Sequence, residues 1–247
     1  MDHEVIAITD KDARRGNEGK RWLDLLEVTG VVVCSPLVAF CAWGLLGDGL
    51  LWGQVAIWCG YLAAFGLIGL GLRMRGDGWG SLGLGVGRLG VKRGFRLVGW
   101  SVLVAVCALA AFVMGAIVMG MLMGVPSEAD RSGFAYLRGD LLMLVVTLCS
   151  VYVVSSFGEE LIFRGFMVTR LGEAMGGGRH GWVGAVAVSS VLFGLAHYAW
   201  GVAGVVQTGL MGGVLGAAYV MSGRRLWVVV LAHAYMDTLL IVPEYFG

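Results

Sequence analysis

The sequence predicts an all-α fold, a polytopic transmembrane helix bundle of about seven spans with its N-terminus in the cytoplasm. Of its 247 residues, 58% are hydrophobic and only 14% are charged, whereas about a quarter of the residues in a soluble domain are charged. Apolar stretches of about 20 residues, each long enough to cross a bilayer, recur along the whole chain. We therefore expect an integral multi-pass membrane protein, and the short loops and Gly/Val-rich composition favour a bacterial cell (inner) membrane.

The spans follow one another through short connections. Residues 1–24 form a polar tail that we expect to be cytoplasmic, and residues 25–140 hold the first three spans with a basic cytoplasmic loop at 73–96. Residues 141–242 form a further transmembrane core with the remaining spans. The spans are expected at about 25–46, 50–72, 97–123, a fourth from about 141, then 182–198, 202–221 and 226–242.

The distribution of positive charge supports this topology. With seven spans, 16 of the 18 Lys and Arg fall in the tail or in residues 73–96, 164–181 and 222–225 on the same side as the tail, and Arg131 and Arg138 fall on the other side. Loops rich in Lys and Arg stay in the cytoplasm, so the N-terminus is expected inside and the C-terminus outside. All three lysines lie outside the spans, which disfavours a retinal-type receptor because none can form a buried Schiff base.

Two small-residue motifs interleave on the sixth predicted span, Gly209-x-x-x-Gly213 and Gly212-x-x-x-Gly216. Small residues allow membrane helices to approach closely. We interpret both motifs as packing within the chain rather than as a dimer interface, and the oligomeric state stays open.

The fourth span carries three charges within an apolar run. Each charge at membrane depth costs roughly 2.5–3.5 kcal/mol on insertion scales, so three of them indicate a function. Glu160 and Arg164 are four residues apart, share a helix face and can pair. Glu159 lies about 100° round the helix from Glu160. We expect Arg164 to neutralise Glu160 and to leave Glu159 for chemistry.

Two histidines lie in other spans, each four residues from a second residue of interest. Phe193-x-x-x-His197 ends the fifth span, and His233-x-x-x-Asp237 lies in the seventh. Intramembrane ionisable residues normally face the bundle interior or a wet cavity. We therefore expect three helices to bring Glu159, His197 and His233 to one hydrated pocket.

Such a group suits the activation of water. A desolvated glutamate can act as a general base, and an imidazole can share the nucleophilic water and then protonate the leaving amine. A second imidazole, with a hydrogen-bond donor four residues further on, can stabilise an oxyanion. No cofactor is required by this reaction. The same Glu159, His197 and His233 could instead ligate zinc, and the residues alone leave both readings open.

Two functions from other classes compete with hydrolysis. A small transporter or channel could use Glu159, Glu160 and Arg164 as a proton or ion path, although the inverted repeat of many transporters is absent from the sequence. A non-catalytic immunity or binding protein could keep the same residues as a structural polar cluster.

The three motifs together resemble one family. Glu159-Glu160-Leu-Ile-Phe-Arg164, then Phe193-x-x-x-His197, then His233-x-x-x-Asp237 is similar to the CAAX-protease and bacteriocin-processing (Abi) family. These are intramembrane endopeptidases that include the type II CAAX prenyl proteases. The resemblance covers roughly residues 141–242, and Ser81-Leu82-Gly83-Leu84 also resembles a stretch common in bacterial members.

The resemblance implies a role for each residue of the motifs. Glu159 would be the catalytic carboxylate and His197 its partner on the water, while His233 with Asp237 would form the oxyanion site. Glu160 and Arg164 would hold the helix end, with Phe193 as structural support. The substrate would be a peptide or protein, prenylated or unmodified, met within membrane lipid, and no nucleic acid is implied.

Residue 237 departs from the family pattern. Prenyl proteases of this type carry Asn there, and this chain carries Asp. A protonated Asp can still donate a hydrogen bond to an oxyanion. An ionised Asp would repel the oxyanion and favour a metal ligand, so this position bears directly on the zinc alternative.

Overall fold

The computed structural model describes residues 2–47, 49–85, 90–124 and 132–247. These residues form helices and no strand, which confirms the all-α prediction. Arg88 of the predicted basic loop and Arg131 of the external loop lie outside the described residues. The structure divides into two compact units, residues 1–76 with 167–185 and residues 77–166 with 186–247. The predicted division at 24/25 and 140/141 stays a prediction.

The helices cover the predicted spans in the predicted order. The α-helices are α1 (Asp2–Leu46), α2 (Leu50–Arg75), α3 (Val91–Met123), α4 (Leu141–Val151), α5 (Thr169–Ala174), α6 (Arg179–Ala196), α7 (Gly201–Met221) and α8 (Leu226–Phe246). Short 3-10 helices lie at Trp79–Leu82, Ser132–Leu137 and Tyr198–Trp200. Helical structure begins at Asp2, so residues 2–24, predicted as a polar tail, are the first part of α1.

Among the described residues, six helical stretches are long and apolar enough to span a membrane, close to the predicted seven. They are Glu18–Leu46, Leu51–Arg75, Val91–Met123, Leu141–Ala174, Tyr198–Met221 and Leu226–Phe246. The fifth predicted span is α6, which is not among the six and carries Arg179 and His180 in its first turn. The surface of the helices is rich in large apolar side chains such as Leu45, Leu62 and Val106, which are 88%, 69% and 61% exposed. A surface of this kind fits contact with lipid.

The first unit contains a buried network of charges. Arg75 of α2 lies 2.7 Å from a carboxylate oxygen of Asp24 and 2.7 Å from one of Glu27, both on α1. Glu27 also lies 3.1 Å from Arg170 of α5. Gly71 makes room for this network, because a Cβ there would lie 2.9 Å from Oε1 of Glu27. Arg170 also lies 3.5 Å from Glu173, so three acids and two arginines form the network.

One continuous helix of 34 residues, Leu141–Ala174, carries the glutamate pair. It begins with Asp140, whose side chain accepts a hydrogen bond from the backbone N–H of Met143 at 3.0 Å. After α4 it is π-helical over Tyr152–Glu159 and again over Leu161–Val168. π-helical segments are rare and frequently lie at functional sites. The unusual winding therefore falls on the segment that holds Glu159, Glu160 and Arg164.

In the second unit, the turn between α7 and α8 holds the segment around Leu82. Leu82 is fully buried, and its carbonyl accepts a hydrogen bond from the Tyr219 hydroxyl at 3.4 Å. The backbone N–H of Leu226 donates to the carbonyl of Gly83, and Nε1 of Trp227 donates to that of Leu84 at 3.3 Å. The Ser81–Leu84 stretch is therefore hydrogen-bonded to the start of α8.

The glycine motifs of α7 pack against α6, within the same chain as predicted. A Cβ at Gly209 would lie 3.5 Å from the carbonyl oxygen of Ser190, and one at Gly216 would lie 3.0 Å from Val186. At Gly212 a Cβ would lie 3.0 Å from the Phe193 ring and 3.2 Å from the Arg164 guanidinium. The absence of a side chain at 212 thus makes room for two residues of the polar cluster.

Candidate active site

The pair predicted from its spacing on the fourth span forms in the structure. Nη1 of Arg164 donates to Oε1 of Glu160 at 2.6 Å, and Glu160 is fully buried while Arg164 is 1% exposed. Nη2 of Arg164 donates to the carbonyl of Gly212 at 3.2 Å. A buried charge requires such partners, because an ion removed from water without them costs several kcal/mol.

His233 joins the same carboxylate. Its Nδ1 lies 2.8 Å from Oε1 of Glu160, so one oxygen of Glu160 binds both Arg164 and His233. Nδ1 therefore carries a hydrogen whenever Glu160 is a carboxylate. On the other side of the ring, Nε2 lies 3.7 Å from Oδ1 of Asp237 and 3.5 Å from Oγ of Ser155. His233 thus has a carboxyl group on each side.

Asp237 is held by a residue that the sequence motifs do not include. Oγ of Ser156 donates to Oδ2 of Asp237 at 2.7 Å, and Ser156 is 1% exposed. The signal for Ser156 was its place, three residues before Glu159 in an otherwise apolar run. Because Ser156 supplies the proton, Oδ2 of Asp237 is an acceptor in this hydrogen bond.

Phe193 is the side chain around which the polar groups assemble. It is fully buried, and the guanidinium carbon of Arg164 lies 4.3 Å from its ring centroid, a cation–π contact. The His197 and His233 rings lie 4.8 Å and 6.4 Å from it, and the Phe163 ring 5.0 Å. Phe193 therefore touches both histidines and the arginine.

His197 has one nitrogen engaged by its own helix. Its Nδ1 lies 2.9 Å from the carbonyl oxygen of Phe193, one turn earlier, so this nitrogen is the donor and Nε2 is left with its lone pair. The ring also contacts that of Trp200 at 5.1 Å. Unlike His233, His197 is only partly buried.

Glu159 is within electrostatic range of the other predicted residues. Its carboxyl group interacts with His233, His197, Asp237 and Glu160. The structure thus brings together, within the second unit, all seven residues singled out in the sequence: Glu159, Glu160, Arg164, Phe193, His197, His233 and Asp237. Ser155, Ser156 and Gly212 are added to them by contacts that the motifs do not encode.

The side chains expected to bind zinc do not form a set of three ligands among the described residues. Among the described ranges, no group of three or more His, Cys, Asp or Glu side chains is positioned to hold a metal. Glu159, His197 and His233, the ligands expected if a metal were bound, are close to one another without forming such a set. The absence of a cofactor requirement stays a prediction.

Comparison with known proteins supports the motif-based resemblance. Residues 141–239 match the family model described as "Rce1-like: Type II CAAX prenyl endopeptidase Rce1-like". No curated protein and no solved structure matches the chain. The match contains every motif residue from Glu159 to Asp237 and confirms the resemblance. It implies a CAAX-type intramembrane protease that acts on a peptide or protein.

Proposed function

We propose that this chain, Rce1-like over residues 141–239, is an intramembrane endopeptidase in which Glu159 and His197 activate water for attack on a peptide bond. The observation that carries the proposal is that Glu159 lies within electrostatic range of His197 and His233, which come from two other helices. A carboxylate near two imidazoles can take a proton from water and return it.

The first step is the attack of water on the peptide carbonyl carbon. Glu159 accepts one proton of the water, and the hydroxide that is left forms a bond to the carbonyl carbon. Nε2 of His197 orients the same water by accepting its second hydrogen, because Nδ1 is already committed to the carbonyl of Phe193. The carbonyl oxygen then carries a negative charge.

The oxyanion is stabilised by His233. Its Nδ1–H is bound to Glu160, so Nε2 donates to the oxyanion when the ring carries a second proton. Glu160, bound to Nδ1 of the same ring, compensates that positive charge. When the carbon–nitrogen bond breaks, the proton held by Glu159 passes to the leaving amine. The products are a carboxylic acid and an amine, which together contain the atoms of the peptide and one water.

In this scheme Glu160 is a positioning residue. It is buried and bound by Arg164 and His233, so it holds the His233 ring instead of touching the substrate. Arg164 compensates its charge and is fixed by Gly212 and Phe193. We expect the substrate to be a peptide or protein segment met within the bilayer, prenylated or unmodified, and the membrane to be a bacterial inner membrane.

The test is hydrolysis of a quenched fluorescent peptide library by the purified protein in liposomes. Glu159→Gln and His197→Ala should each lower the rate by at least about 100-fold, the contribution typical of a positioned acid or base. Arg96→Gln, a change at an exposed residue of α3, should cleave like the wild type. A Glu159→Gln/His197→Ala double variant that cleaved peptides at the wild-type rate would disprove the proposal.

A further inference from the structure

A cavity of about 510 Å³ lies between the first π-helical segment (Tyr152–Glu159) and α8. We call it the apolar pocket. The side chains that line it include Tyr152, Ser156, Phe157, Trp227, Ala234 and Thr238. Its volume is within the range of about 300–1,000 Å³ that is common for ligand sites. None of its lining residues except Ser156 belongs to the catalytic scheme.

Two side-chain contacts join the two helices beside the apolar pocket. In one, the Tyr152 hydroxyl lies 2.7 Å from Oγ1 of Thr238. In the other, the rings of Phe157 and Trp227 lie 6.0 Å apart. Between these contacts the two helices leave a space that neither fills, and the small side chain of Ala234 lies beside it.

Four polar side chains of the lining are already engaged within the protein. Oγ1 of Thr238 donates to the carbonyl of Ala234 at 2.6 Å, so the hydroxyl of Tyr152 is the donor to Thr238. Nε1 of Trp227 donates to the carbonyl of Leu84, and Oγ of Ser156 donates to Asp237. The hydrogens of these four side chains are therefore not available to an occupant, which favours an apolar one.

The pocket extends from the surface of the helices to the catalytic cluster. Val153, at its rim, is 64% exposed, whereas Ser156 is 1% exposed. Ser156 binds one oxygen of Asp237, and the other oxygen lies 3.7 Å from Nε2 of His233. An occupant is thus separated from the proposed oxyanion site by only two side chains.

We infer that the apolar pocket binds a large apolar side chain of the substrate beside the bond that is cut. This inference rests on the proposed function. A substrate side chain is favoured as the occupant because Ser156, which lines the cavity, binds Asp237 next to the proposed oxyanion site. Ala234 then sets the size of the side chain that is accepted.

The test measures kcat/KM for matched peptides that differ at one position, with Ala, Leu or Phe on either side of the bond. The wild type should prefer a large residue at one of these positions by at least about tenfold, as apolar pockets do. Ala234→Phe fills the pocket and should remove that preference, while the rate on the Ala peptide stays within about twofold. Leu239→Phe, on the same helix at a position that is 61% exposed, is the matched control and should keep the preference.

The remaining results of this experiment separate failure of the proposed function from failure of the pocket assignment. If the wild type cleaves no peptide, the proposed function fails, and this inference fails with it. If the wild type cleaves and Ala234→Phe keeps the preference, only the pocket assignment is wrong. The same holds if Ala234→Phe lowers kcat/KM equally for all peptides while its unfolding temperature is unchanged. Phospholipid that copurifies with the wild type and is lost from Ala234→Phe, with the peptide preference unchanged, would identify a lipid acyl chain as the occupant and overturn the inference. Ala234→Leu replaces Ala234→Phe if the latter does not fold.

Discussion

Oε1 of Glu160 accepts hydrogen bonds from both Nδ1 of His233, at 2.8 Å, and Nη1 of Arg164, at 2.6 Å. Through this one buried oxygen, α8 is hydrogen-bonded to the helix that carries the glutamate pair. The neighbouring Glu159 has a different environment, since it is only partly buried and interacts with His197 as well. In the proposed mechanism these two adjacent carboxyl groups serve separate purposes, Glu159 in the reaction and Glu160 in positioning His233.

The first prediction separates those purposes by substitution. Glu159→Gln should abolish hydrolysis, a loss of at least about 100-fold, and leave the unfolding temperature close to that of the wild type. Glu160→Gln should lower both activity and stability, because Arg164 and His233 lose their charged partner. Rates and unfolding temperatures of the two variants, measured in the same detergent, check this. Equal stability losses in both variants would contradict the division of roles.

A second prediction concerns the buried pair of Glu160 and Arg164. Removing one partner of such a pair typically costs about 3–5 kcal/mol, because the other charge stays buried. Arg164→Leu alone should therefore destabilise by about this amount, and Arg164→Leu/Glu160→Leu should recover part of the loss. The measurement is a double-mutant cycle of unfolding free energies, with Arg96→Gln as an exposed control. A double variant no more stable than Arg164→Leu would show that pairing is not the source of the loss.

A third prediction concerns Asp237 and the zinc alternative. If Asp237 acts only through hydrogen bonds, Asp237→Asn should keep activity within about tenfold, since an amide can donate where a protonated acid would. Dialysis against a chelator should leave the wild-type rate unchanged. Activity assays with metal analysis of the purified protein check both points. Loss of activity together with loss of bound metal in Asp237→Asn would instead identify residue 237 as a ligand.

A fourth prediction uses the close approach of α7 to the cluster. A Cβ at Gly212 would lie 3.0 Å from the ring of Phe193 and 3.2 Å from the guanidinium of Arg164. Gly212→Val adds further atoms and should displace these side chains, with at least about a tenfold loss of kcat. Gly213→Val is the control, because the nearest atom to its Cβ is Oγ of Ser190 at 3.7 Å. Peptide cleavage by the two variants is compared, and equal losses would argue against a specific effect at Gly212.

A fifth prediction concerns the charge network of the first unit. Arg75 is bound to Asp24 and Glu27, so Arg75→Leu leaves two acids in a largely buried site without that partner. We expect a loss of stability of about 3–5 kcal/mol. Arg73→Leu removes the same charge from an exposed position two residues earlier and should cost less than about 1 kcal/mol. Unfolding free energies of both variants test this, and equal losses would contradict it.

The fold class and the composition of the cluster could be predicted because both depend on short-range patterns. Apolar runs of span length mark the helices, and a spacing of four residues brings Glu160 to Arg164 and Phe193 to His197. The fifth span was predicted by its apolar residues, whereas Arg179 and His180 leave α6 outside the six apolar candidates. Residues 2–24 were predicted to be a tail because they are polar, whereas in the structure they are helical.

The contacts that hold the cluster could not be predicted in this way. Glu160 and His233 are 73 positions apart, and Ser156 and Asp237 are 81 apart. Such contacts depend on the depth and rotation of separate helices, which no local pattern specifies. The same holds for Arg75 and Arg170, which the sequence presents only as positive charges near the ends of spans.

The π-helical winding of Tyr152–Glu159 and Leu161–Val168 has a consequence for how this segment can vary. Deleting one residue between Ser156 and Arg164 would rotate the helix beyond the deletion relative to the part before it, moving the Arg164 guanidinium away from Phe193 and Gly212. Replacing an apolar residue by another of similar size leaves the rotational position of Arg164 unchanged. Chain length across these nine positions is therefore under tighter constraint than the identity of the apolar residues among them, and insertions or deletions should be tolerated only outside them.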